Sequence, residues 1–271
     1  MQANKRRHPK AKPRKRFWSF IRKLVLWCLV MAAIGAAVGY FGFMMAWKRY
    51  DNWAAEFDLE RINDLEKPSI IYDRNGEEIG RIYVENRSYV TLDKISPAMI
   101  NALIAQEDSR FREHPGYDFL GILRAGREYI HNSGDANQGA SSITQQLARN
   151  VFISQEKTWQ RKMEEIFIAL QMEKKYTKNE ILEFYLNNIY FGNGYYCIKD
   201  ASEGYFGKEP EDLTDYESTL LAGVPNAPSK YSPTVNLELA EKRQEQVVER
   251  LVACGLFTKE RALETLAGSE M

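Results

Sequence analysis

The sequence predicts a mainly α-helical protein held to a membrane by one N-terminal helix, with a single small β-hairpin. Three observations predict it. The run LVLWCLVMAAIGAAVGYFGFMMAW at 24–47 has no charge and, at about 1.5 Å per helical residue, is long enough to cross a hydrocarbon layer of about 30 Å. Helix-start signals recur through the rest of the chain: Ser142, Thr177 and Thr214 are each followed three residues later by Gln145, Glu180 and Glu217, the capping-box arrangement. Only PSIIYDRNGEEIGRIYVENRSYVTL (68–92) flanks turn formers, Asp73 to Gly76, with two β-rich runs.

Taken in order, residues 1–23 hold ten Lys and Arg and no acid, and the remainder holds 27 basic against 37 acidic side chains. The formal net charge of zero therefore conceals two differently charged ends. The more cationic flank stays inside. This gives a basic cytoplasmic tail (1–23), a transmembrane helix (24–47), a connector (48–67) and an extracytoplasmic domain (68–271). A cleaved signal peptide would have an apolar run about half as long, ending at a small-residue site that is missing here. Gly35 and Gly39 form a GxxxG pair able to seat a second helix, although lipid-facing filler is the commoner reason for that spacing. With Cys28 in the apolar run, only Cys197 and Cys254 remain outside, to pair or to stay free. His8, His114 and His131 fall in no zinc spacing, so any metal would be a hard cation on oxygens.

After the hairpin, Ser96 with Pro97 opens a helix. Gly223 and Pro225 stop the LTDYESTLLAG helix, NAPSKYSP is a loop, and NLELAEKRQEQVVERLVACG with a cap at Thr258 supplies two closing helices.

Three groups of polar residues stand out on these helices. In PAMINALIAQEDSRF, Met99, Ile100, Leu103 and Ile104 recur at helical spacing and Glu107 falls on the same stripe. A buried carboxyl has the raised pKa that a general base needs; a helix-end Glu escaping to solvent or pairing with Arg110 or Arg112 fits the spacing equally. In TWQRKMEEIFIALQMEKKYT, Trp159, Met163, Ile166 and Leu170 read as the core stripe. Arg161, Lys162 and Glu165 lie beside it on a column that continues into Ile168, Ala169 and Met172, against the plain reading of a surface ion pair. In GASSITQQLARN, Ile143, Leu147 and Val151 form one side and Gln146, Arg149 and Asn150 another, behind a capped N-terminus after Gly139 that offers N–H groups to an anion. Two inward carboxylates, four cations (Arg149, Lys157, Arg161, Lys162) and an anion site suggest chemistry on a phosphate next to a sugar or acyl centre.

EDSRFREHPGYD (107–118), GASSITQQLARN (139–150), RKMEE with LQMEKKYTKNEILEFYLNNIYFGNG (161–194), ASEGYFGK (201–208) and LTDYESTLLAGVPNAPSKYSP (213–233) resemble, in order and spacing, the motif blocks of the family 51 peptidoglycan glycosyltransferases. The resemblance covers roughly residues 68–255. It implies a lysozyme-like helical domain, here in the form without a penicillin-binding domain, polymerising lipid II by inverting transfer on the outer face of the cytoplasmic membrane. SQEK (154–157) fits SxxK, but without SDN or KTG it reads as a chance match.

On that resemblance Glu107 is the catalytic base and Glu165 the second catalytic carboxylate, orienting the acceptor side or the cations. Arg161 and Lys162 bind the diphosphate, with Lys157 and Arg149 as further cations. Asp108, His114, Ser141, Gln145, Gln146 and Asn150 organise the substrate site. No cofactor is required, although Mg²⁺ or Mn²⁺ could bridge the diphosphate. The implied partners are lipid II, the growing lipid-linked glycan, membrane lipid and other cell-wall synthesis proteins, and no nucleic acid. Residues 119–137 fall where the family carries a partly hydrophobic, membrane-touching segment. Ser142 replaces the usual threonine, and Cys197 replaces a usual glycine, which puts the local backbone in question. A membrane-anchored muramidase or lytic transglycosylase would use a similar glutamate without the cations; an inactive cell-wall scaffold would tolerate its loss.

Overall fold

The computed structural model describes residues 14–63, 69–72, 74, 78–82, 88–124, 141–153 and 159–268. The expectations for the tail up to residue 13, for His131, Gly139 and Lys157, for SQEK and for most of the Asp73 to Gly76 turn fall outside them. The chain divides into two compact units, Met1–Asn52 and Trp53–Met271. Helix α1 (Arg14–Ala55) extends past the expected span at both ends, since neither flank contains a Pro or Gly to stop it. From Trp18 to Ala55 it is long and apolar enough to cross a membrane.

In the second unit β1 (Ser69–Tyr72) pairs antiparallel with β2 (Glu78–Ile82), with a bulge at Ile71/Tyr72. Then follow α2 (Pro97–Glu107), α3 (Ile143–Phe152), α4 (Trp159–Lys175), α5 (Lys178–Leu186), α6 (Ile198–Phe206), α7 (Asp215–Gly223), α8 (Pro228–Tyr231), α9 (Leu237–Ala253) and α10 (Lys259–Ala267). α2 packs against α7 and α9, and α3 against α4 and α5. Their shared core includes Met99, Leu103, Phe111, Ile143, Leu147, Met172, Ile181, Leu186, Leu221, Val247 and Leu251. α2 ends inside this core, which is why its last residue can be functional.

The segment after the hairpin is tied to α5. Asn187 at the end of α5 accepts the Val90 N–H at 2.9 Å and donates to the Val90 carbonyl at 2.8 Å, as a neighbouring strand would. Glu183 accepts from the Leu92 N–H at 2.7 Å and from the Tyr89 hydroxyl. Cys197 is the N-cap of α6, in an extended conformation (φ −150°) open to any residue, so the replaced glycine leaves no strain. Its buried thiol donates to the Ser88 carbonyl, and burial pushes its pKa up to about 12. Cys197 and Cys254 are both free.

The full capping boxes form at Thr177–Glu180 and Thr214–Glu217. Ser142 makes only half of one: its Oγ accepts from the Gln145 N–H, while the Gln145 side chain turns to Lys162. The expected core stripe of α4 is corrected. Trp159 is 81% exposed, and the buried side is Glu165, Phe167, Ile168, Ala169 and Met172. The helix is apolar on two faces, and the one that continues the charged column meets α3. Residues 119–124 are helical, with Phe119, Leu120 and Leu123 mostly exposed.

Candidate active site

The carboxyl of Glu107 emerges from the C-terminus of α2 into a cavity of about 230 Å³. Gln106 and Glu107 come from α2; Ser141, Gln146 and Arg149 come from α3 and the residue pair before it; Pro225 and Asn226 follow α7; Arg243 and Arg250 come from α9. The cavity is thus assembled from stretches that are remote in sequence. Gly223 makes room for one of them, since a Cβ there would lie 2.9 Å from the Arg243 Cγ.

Glu107 keeps partial exposure along its length, yet its carboxyl end is enclosed. Oε2 accepts from the Gln146 amide at 2.9 Å, and Oε1 is buried without a hydrogen-bond partner. The Gln146 Oε1 accepts in turn from the Tyr185 hydroxyl at 2.9 Å, and Tyr185 is fully buried. Burial raises the Glu107 carboxyl above its ordinary range, opposed by the Gln146 amide and then by the Arg243, Arg250 and Arg149 guanidiniums. The escape routes from burial are closed: Arg110 pairs with Glu113 and Asp118, and Arg112 donates to Asn179. Of the two readings of Glu107, the desolvated one holds.

A second cluster adjoins the first through Ser141. The Lys162 ammonium donates to Ser141 Oγ at 2.8 Å, Gln145 Oε1 at 3.0 Å and Glu165 Oε2 at 2.9 Å, using all three protons. Glu165 is 1% exposed and also faces the Arg161 Nε at 3.4 Å. It lies outside the lining of that cavity and pairs with Lys162 and Arg161, two cations of its own helix.

The remaining candidates separate. Ser141, Gln146 and Arg149 line the cavity, and Gln145 holds Lys162 from behind. Asn150 is exposed and outside the cavity wall. Asp108 and His114 are buried and bind each other, the His114 Nε2 lying 3.0 and 2.9 Å from the two carboxylate oxygens, while Nδ1 accepts from the Gly116 N–H. Asp108 Oδ2 also accepts from the Ile143 N–H at 3.1 Å. The expected anion site at the start of α3 is therefore filled internally. As placed, Asp108 and His114 organise α3 and are not among the residues that line this cavity. Asp108→Ala would strand two buried donors, at a cost of about 2–4 kcal/mol. The expected result is a melting temperature lower by roughly 5–15 °C by calorimetry, with little change in KM for substrate.

Arg243, Arg250 and Asn226 were absent from the sequence-based candidates. One signal was available for Arg243: it falls three residues after Ala240 and four before Val247, on the buried stripe of α9. Arg250 donates to the Gln106 carbonyl at 2.8 Å, where the α2 C-terminus welcomes a cation. Its charge favours ionised Glu107, so Arg250→Met is expected to move the acidic limb of the pH profile of kcat/KM to higher pH, checked by initial rates from pH 5 to 9.

A desolvated carboxylate beside fixed guanidiniums, joined through a serine to a caged ammonium, defines an acid–base site for an anionic substrate. Residues 75–252 match the family model described as Transglycosylase. The chain is 45% identical over 210 residues to penicillin-binding protein 1A of Escherichia coli, covering 77% of this chain and 25% of that protein. It is 40% identical over 242 residues to penicillin-binding protein 1A of Vibrio cholerae (89% and 28%), and 41% identical over 199 residues to penicillin-binding protein 2D of Bacillus subtilis (73% and 29%). It thus spans about a quarter to three tenths of the length of these relatives. The chain belongs to the transglycosylase family.

Proposed function

We propose that this chain is a peptidoglycan glycosyltransferase that polymerises lipid II into glycan strands, working outside the cytoplasmic membrane with its N-terminus inside. The observation that carries the proposal is the cavity itself, where the dry Glu107 carboxyl with one open oxygen faces three guanidiniums. Glu107 takes the proton of the acceptor 4-hydroxyl as that oxygen bonds to the anomeric carbon of the growing chain. The bond from that carbon to the lipid diphosphate breaks, and configuration inverts.

Negative charge then grows on the departing diphosphate. Lys162, held by Ser141, Gln145 and Glu165, is already oriented and stabilises that charge without reorganising, with Arg161 on the same Glu165 and Arg149 in the cavity wall. Lys157 would add a further cation. A Mg²⁺ or Mn²⁺ ion would arrive with the diphosphate, since no three acidic, imidazole or thiol side chains converge among the described residues. A muramidase needs a proton donor but no cluster of cations, and the cluster favours transfer over hydrolysis.

The test is to incubate the detergent-purified chain with lipid II and resolve the products on a gel. Ladders of polymer are expected; soluble muropeptides released from purified cell wall, with no polymer from lipid II, would overturn the proposal in favour of a cleaving enzyme.

A further inference from the structure

Gln106 precedes the proposed base and has a separate peculiarity. It is 5% exposed and lines the cavity, and its side-chain Oε1 is buried with no hydrogen-bond partner. Buried carbonyls are seldom left unpaired, because the lost hydration is not returned. The backbone that carries it cannot turn to relieve it, since the Gln106 carbonyl is held by Arg250 at 2.8 Å. Of the donors that line the same cavity, the Gln146 amide is committed to Glu107, and the Arg243 Nε, though unpartnered, makes no bond to the Gln106 Oε1. The open acceptor of Gln106 thus waits for a donor brought by the occupant of the cavity.

Two buried acceptors of this cavity lack partners, Gln106 Oε1 and Glu107 Oε1, and they belong to consecutive residues. The guanidiniums around them can only donate, and so read phosphate, carbonyl or ring oxygens. Gln106 and Glu107 read the opposite: both line one cavity of about 230 Å³, small enough for one sugar ring to offer a donor to each. A vicinal diol has that form. Resting on the glycosyl-transfer reading above, we propose that Gln106 determines acceptor specificity by accepting a hydrogen bond from the 3-hydroxyl of the acceptor hexosamine, next to the 4-hydroxyl that Glu107 deprotonates. The site thereby prefers acceptors whose 3-hydroxyl is free.

The experiment compares lipid II with a lipid II analogue lacking the 3-hydroxyl of its terminal hexosamine, offered as acceptor to the full chain and to Gln106→Leu. Wild type is expected to lose on the order of 10- to 100-fold in kcat/KM on the deoxy acceptor, the size of effect seen when a site's buried polar group is left unmatched. Gln106→Leu, slower on lipid II, is expected to treat the two acceptors alike within about threefold, because the group that discriminates is gone. Equal losses in both proteins would overturn the inference. If Gln106→Leu melts too low to assay, Gln106→Met, unbranched and of similar length, carries the same expectation. Absence of polymer from wild type on lipid II would remove the glycosyl-transfer reading and this inference with it. Polymer from wild type with identical penalties in the two proteins would sink only the role of Gln106.

Discussion

Glu107→Gln is expected to lower the rate of glycan polymerisation by about 10²–10⁴-fold while leaving the fold intact. The amide fills the same volume but cannot take a proton from the acceptor. The same variant is expected to be at least as heat-stable as wild type at pH 8. Burial raises the folded-state pKa of Glu107 above its ordinary value of 4.5, so the folded protein holds that proton to higher pH than the unfolded chain does. The stability this group contributes is complete below the unfolded pKa and is lost as pH rises through the folded one; a glutamine loses nothing over that window. Calorimetry at pH 4 and pH 8 checks the sign: the difference in melting temperature, variant minus wild type, should grow with pH. Full polymerase activity in Glu107→Gln would remove this residue from the chemistry.

Lys162→Met is expected to cost about 10²–10³-fold in kcat, because a preorganised cation facing the departing diphosphate is lost. It is also expected to destabilise the fold by roughly 3–5 kcal/mol, since Glu165, 1% exposed, loses the nearer of its two cations among the described residues and keeps Arg161 at 3.4 Å. The two effects can be separated. Adding Glu165→Gln removes the stranded charge, so the double variant should regain most of the melting temperature and none of the rate. Recovery of both would mean that Lys162 serves the fold alone.

Local pattern in the sequence carried much of this architecture. The α2 stripe and the caps at Thr177 and Thr214 depend on neighbours within four residues and the hairpin on partners within thirteen, and each formed where spacing placed it. The misread face of α4 has a physical cause. Trp159, Met163, Ile166 and Leu170 repeat as well as Glu165, Ile168 and Met172 do, and periodicity names stripes without saying which one meets α3. The filled anion site depends on Asp108 reaching Ile143, 35 residues away. The cavity draws Asn226, Arg243 and Arg250 from the far end of the chain, a convergence that no local window contains. Of the site, Glu107, Gln146, Arg149 and Ser141 were legible, and the α9 wall was not.

The chain Tyr185–Gln146–Glu107 makes the two oxygens of one carboxyl unequal. With the phenol turned toward the amide oxygen, the amide nitrogen faces Oε2, which has one of its lone pairs taken. Oε1 has no partner and is the readier of the two to collect a proton, so an acceptor meets the carboxyl most directly from that side. On the proposed reaction, a proton left on Oε1 sits where the cavity admits the acceptor, so resetting the base and admitting the next acceptor share one space.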